Sequence, residues 1–121
     1  MKEKINYDDL VAEQRKICEK YNIPWVETPL DMRVGLMKNF ADGQMPLNGL
    51  RHPPDGGTAG WYLWAGVRWT TDINEWDALH ISHLSEQSSF VAKYLGLPPG
   101  YRFLVDDKGH EDVWFDQVSL I

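Results

Sequence analysis

The sequence predicts an α+β domain, with a mostly antiparallel sheet of about four strands and two main helices packed on it. Apolar residues recur at helical spacing in two stretches, near residues 7–22 and 82–95. They alternate at strand spacing around residues 33–38, 61–69, 101–105 and 112–115. Pro, Gly and Asn separate these stretches, and the order helix, strand, loop, strand, helix, strand, strand suits helices laid on one antiparallel sheet.

The first helix starts after Asn6, an N-cap type residue, with Asp8 and Asp9 in the first turn where the helix dipole favours negative charge. Leu10, Ile17, Cys18 and Tyr21 share one face, and Glu13, Gln14, Arg15, Lys16, Glu19 and Lys20 surround it. Asn22 can close this helix and Pro24 forbids its continuation. Trp25 to Leu30 reads as an extended connection. Over Arg33 to Lys38 the chain alternates as a strand, within which Gly35 marks a bulge or a close backbone approach. Residues 41–49 carry turn chemistry at Asp42-Gly43 and Asn48-Gly49 and read as a loop.

Between Arg51 and Gly60, Pro53, Pro54, Gly56, Gly57 and Gly60 alternate stiffness with permissive dihedrals, which specifies a loop of defined shape. The strand that follows, Trp61 to Trp69, sets Trp61, Leu63, Ala65 and Val67 on one face and Tyr62, Trp64 and Gly66 on the other. Residues 70–79 are polar, with a short helical turn expected around Trp76. A second helix is expected from Ser82 to Leu95 on the stripe Leu84, Val91 and Leu95, ended by Gly96, Pro98 and Pro99. Tyr101 to Val105 and Asp112 to Phe115 then form a hairpin across a tight polar connection.

Composition bounds the function. A chain of 121 residues with 43% hydrophobic content and six Trp can fill one core, so residues 1–121 are read as a single domain. Cys18 is the sole cysteine, which suits a reducing compartment and excludes a cysteine zinc cage within one chain. No apolar run matches a signal peptide or a membrane span, so a cytoplasmic location without membrane contact is expected. The net charge of −6 is uneven, with residues 1–31 at −2, 32–68 at +2 and 69–121 at −6. Without a clustered basic footprint, nucleic acid is not an expected ligand.

Chemical constellations are sparse. Gly56-Gly57-Thr58 lacks the Lys and the following helix of a phosphate loop, so no nucleotide cofactor is expected. His80, His83 and Glu86 could share a helix face, but two histidines and one carboxylate at that spacing are not a metal signature, and no metal is assigned. No nucleophile elbow surrounds Ser82, Ser85, Ser88 or Ser89. His52 and Asp55 form a conceivable acid–base pair, although with Arg51 they can equally hydrogen-bond the loop to itself. The candidate partner-binding residues are Arg51, His52, Asp55, Trp64 and Trp69.

The segments Pro46 to Gly66, Leu79 to Leu84 and Tyr94 to Leu104 follow an ordered pattern with the Val34-Gly35-Leu36-Met37 strand and the closing Asp112-Val113-Trp114-Phe115-Asp116. Together they resemble the thirty-third immunity-protein family of bacterial polymorphic toxin systems, and more closely its "like" relatives, over about residues 32–116. At Val67-Arg68-Trp69 the chain departs from those relatives, which tend to carry an acidic residue soon after the Gly66 position. The resemblance implies a non-catalytic cytosolic protein that binds and neutralises a cognate protein toxin. It transfers no catalytic residues. The alternatives are a general protein- or ligand-binding module and a small enzyme using His52 and Asp55. The sequence leaves the oligomeric state open.

Overall fold

In a computed structural model the chain is described over residues 7–38, 40, 44–66, 74, 76–82 and 89–116. Helix α1 runs over Tyr7–Lys20 and strand β1 over Arg33–Met37. Strands β2, Leu47–Arg51, and β3, Thr58–Ala65, follow. Strand β4 spans Trp76–His80, α2 is the four-residue helix Ser89–Ala92, and β5 and β6 cover Tyr101–Val105 and Glu111–Phe115.

The amphipathic pattern of α1 acts as expected, with one addition. Leu10, Ile17 and Cys18 are buried, and so is Gln14. Gln14 is tolerated there because its amide is satisfied on both sides: Nε2 donates to the Ala92 carbonyl at 3.1 Å, and Oε1 accepts from Trp25 Nε1 at 3.0 Å. Burial pushes the Cys18 thiol up, which suits a core residue. Asn22 adopts a left-handed φ of 57° and ends the helix. Its N–H donates to Glu19 O, and that of Ile23 to Cys18 O, the paired bonds of a Schellman cap. The proposed N-cap, Asn6, lies outside the described residues.

All six strands join one sheet in the order β4-β1-β3-β2-β5-β6. The sheet is mixed, since β1 and β3 are parallel while the other four neighbouring pairs are antiparallel. This corrects the expected sheet of about four mostly antiparallel strands with two main helices. The helical layer holds one main helix, α1, and the short α2 among the described residues. Residues 83–88, the middle of the expected second helix, lie outside them. Val91 and Leu95 of its stripe are nonetheless fully buried.

Two strands were hidden by their composition. β2 carries the Asn48-Gly49 pair that reads as a turn, yet every residue in it is buried. A Cβ at position 49 would stand 2.2 Å from the Phe103 ring, so glycine here permits close packing across the strand and does not mark a turn. The Asn48 amide donates to Gly66 O at 2.8 Å. β4 reads as polar loop because it lies at a sheet edge, where it is defined by five consecutive register positions against β1. β3 begins three residues before the expected strand, at Thr58; residues 67–69 lie outside the described set. Gly35 meets both expectations. A register shift falls between Arg33 and Gly35, and a Cβ at 35 would come within 2.7 Å of the Tyr62 ring.

The larger core cluster lies between the sheet and its helical layer. Trp61, Leu63, Phe103, Leu95 and Leu97 occupy it with Ile17 and Cys18 of α1. Met37, Leu50 and Trp64 form a smaller cluster with Tyr62 and Trp76. No helix among the described residues is long and apolar enough to cross a membrane.

The carboxylate of Glu111 ties three elements together. It accepts hydrogen bonds from Lys20 Nζ at 2.6 Å, Tyr21 Oη at 2.5 Å and Tyr94 Oη at 2.5 Å. Burial alone would raise its pKa; the three donors outweigh that effect and bring it to about 2. The folded state thus holds the proton more weakly than the unfolded chain, whose Glu titrates near 4.5. The resulting stabilisation is complete above pH 4.5 and is lost as the pH falls towards 2. Glu111→Gln is expected to lose about 2–3 kcal/mol at neutral pH and to flatten the acid limb of stability over that interval, as read by urea titration from pH 2 to 7.

Candidate functional site

Two glycines with positive φ decide the geometry at the tip of the β2–β3 hairpin. Gly56 and Gly57, at φ 57° and 88°, occupy the central positions of a type I′ turn between Asp55 and Thr58. The Asp55 and Thr58 backbones exchange N–H···O bonds of 3.3 and 3.0 Å, and Thr58 Oγ1 also donates to Asp55 O. Before the turn, His52 N–H donates to Gly60 O at 2.8 Å. Pro53 and Pro54 have no N–H to continue the ladder, so the extra residue on that side is accommodated as an outward bend. Gly57 O accepts from Arg33 N–H, which fixes the turn to β1. The loop therefore has the defined shape that its prolines and glycines predict.

An open depression of about 650 Å³ lies beside this tip, lined by His52, Pro53, Pro54, Asp55, Thr58, Gly60 and Tyr62. Its floor continues into a row of edge-to-face rings, with His52 and Tyr62 centroids 5.3 Å apart and Tyr62 and Trp76 5.8 Å apart. Gly35 leaves the space in which Tyr62 lies. Such a surface offers aromatic area, an imidazole and a carboxylate on a rigid support, the elements of an anchor pocket for a side chain or small group. No hydrogen bond joins His52 to Asp55.

The structure brings together two of the five candidate residues, His52 and Asp55, on the rim of this depression. Arg51, next to them in sequence, points the other way and is 1% exposed. Its Nε donates to Ala59 O at 3.0 Å, Nη1 to Val26 O at 3.1 Å and Leu97 O at 2.8 Å, and Nη2 to Glu27 O at 3.0 Å. Burial lowers its pKa to about 10, which still leaves the cation intact at neutral pH. Trp64 is buried in the smaller cluster, and the Arg102 guanidinium lies 5.8 Å from its ring. Trp69 lies outside the described residues.

Thr58, Gly60 and the two prolines line the depression without having been singled out as binding residues, and Tyr62 belongs to the aromatic strand face that could form a binding platform. The signal for Tyr62 was available, because strand alternation places it opposite Trp61 and Leu63. His80, considered as a metal ligand on a helix, ends strand β4; His83 and Glu86 lie outside the described residues. Among the described residues no group of three or more His, Cys, Asp or Glu side chains is placed to hold a metal ion.

Two substitutions test what supports the depression. Arg51→Met strands four carbonyls and is expected to cost about 4 kcal/mol. Gly60→Ala is expected to cost about 3 kcal/mol, because φ is 92° and the new Cβ would stand 1.8 Å from His52 O. Denaturant midpoints of both variants, compared with Asp55→Ala at the exposed rim, measure these losses.

A family model described as Imm33-like domain covers residues 13–116, reaching back through most of α1, beyond the stretch where the sequence resemblance begins. No curated protein and no solved structure matches significantly. On that coverage the chain belongs to the Imm33-like domain family.

Proposed function

We propose that this protein is a bacterial immunity protein, a single cytoplasmic domain that binds a cognate toxin and neutralises it without catalysing a reaction. The observation that carries this reading is the Imm33-like match across residues 13–116. The preformed hairpin tip supports it, because a loop fixed by its own backbone bonds loses little conformational entropy on binding. In this reading His52, Asp55 and Tyr62 form the toxin contact, with Pro53 and Pro54 shaping the rim. Arg51 acts through the backbone by holding His52 in place. Acidity in the C-terminal part of the chain favours encounter with a cationic toxin surface.

The test is co-expression with the toxin encoded beside this gene. The wild-type protein is expected to restore growth and to form an isolable complex. Asp55→Arg, at the exposed rim, is expected to weaken that complex by about 30-fold or more while leaving the thermal midpoint within a few degrees. Failure of the wild-type protein to protect against any toxin encoded next to it would sink the proposal. A turnover that His52→Ala and Asp55→Ala abolish would favour the enzymatic alternative.

A further inference from the structure

The outer edge of β6 combines three properties that no part of the hairpin-tip site uses. First, its outward backbone groups are unpaired by any strand among the described residues. Asp106 N–H donates to His110 O at 3.1 Å and Asp116 N–H to Gly100 O at 2.7 Å. With the regular β5–β6 register between them, these bonds turn the N–H and C=O groups of Asp112 and Trp114 towards β5. The corresponding groups of Glu111, Val113 and Phe115 point outward, and among the described residues no strand pairs with them. Secondly, the edge has large apolar area, since Trp114 is 37% and Phe115 52% exposed. Thirdly, it is acidic. Asp112 is exposed beside Trp114, with one carboxylate oxygen 2.8 Å from His110 Nε2, the Arg102 guanidinium lies 5.3 Å from the Trp114 ring, and Asp106 and Asp107 occupy the adjoining turn.

β6 contains no lysine, proline or bulge, the usual devices that close an edge. Its acidic residues act selectively instead. Each copy of the chain carries a net charge of −6, so pairing β6 with another copy would bring two acidic hairpins together. A cationic strand meets the opposite situation. We infer that the outer edge of β6 is a docking site for an extended cationic segment of a partner protein, added as a seventh strand to the sheet. Strand alternation specifies the segment further. Side chains on the Asp112 and Trp114 face are Lys or Arg, pairing with the carboxylate and stacking on the indole. Side chains on the Val113 and Phe115 face are apolar. The toxin-binding reading supplies only the source of this segment, as a strand of the toxin.

The experiment uses the full chain and two short synthetic peptides, one alternating lysine with valine and one alternating glutamate with valine. The lysine peptide is expected to shift and protect the Val113 and Phe115 amides in NMR spectra and to bind at least about tenfold more tightly than the glutamate peptide, with affinity falling as salt rises. Val113→Pro removes an outward N–H without breaking a β5 bond and is expected to abolish that binding. If that variant does not fold, Asp112→Lys serves in its place and is expected to reverse the peptide preference. Equal binding of the two peptides, lysine-peptide binding that leaves the Val113 and Phe115 amides unchanged, or a self-associated chain that Val113→Pro renders monomeric would each overturn the inference. Peptide binding reads the edge and growth rescue reads the toxin, so the two proposals can fail separately.

Discussion

The buried guanidinium of Arg51 is the constraint on which the rest of the fold depends. A cation with no carboxylate beside it is costly to bury, and here the cost is offset by four carbonyl oxygens from three separate stretches of chain. Val26 and Glu27 belong to the connection after α1, Ala59 to β3, and Leu97 to the turn before β5. The Arg51 carbonyl adds a second link to that turn by accepting from Gly100 N–H at 2.7 Å. Trp61 completes the arrangement, with its ring 5.7 Å from the guanidinium and its Nε1 within 3.2 Å of Thr28 Oγ1 and Leu95 O. A lysine could not reproduce this planar fork of donors.

That internal clamp explains how a loop of prolines and glycines can present a stable surface. His52 follows Arg51 directly, so fixing one fixes the departure of the other from the sheet. Gly60 then lets the returning strand pass so close to His52 that no side chain fits between them. The type I′ turn and the bond from Arg33 to Gly57 close the remaining freedom. Rigidity at the tip thus has a structural origin in the core, several residues from the surface it shapes.

The second region of interest is held from the opposite side of the sheet order. Glu111 sits at the start of β6, and its three donors come from the end of α1 and from Tyr94 beyond α2. This network fixes one end of the edge strand while leaving Asp112, Trp114 and Phe115 exposed. An acidic edge with accessible aromatics and a rigid aromatic depression offer different chemistry, one suited to an extended cationic segment and the other to an anchoring group.

Several features were determined by the sequence itself. The face of α1, its Asn22 cap, strands β1 and β5, the core roles of Trp61 and Leu63, and the shaped loop all follow from periodicity and backbone preference, which act over a few residues. Tertiary structure alone decided the rest. Asn48-Gly49 became buried strand because Phe103 covers the glycine, and polar β4 became strand by pairing with β1, so the sheet gained two strands and a parallel pair. Of the loop residues, His52 and Asp55 reached the surface depression while Arg51 turned inward. A basic side chain beside a loop looks solvent-facing in sequence. Only long-range folding could supply the carbonyls from residues 26, 27, 59 and 97 that make its burial possible.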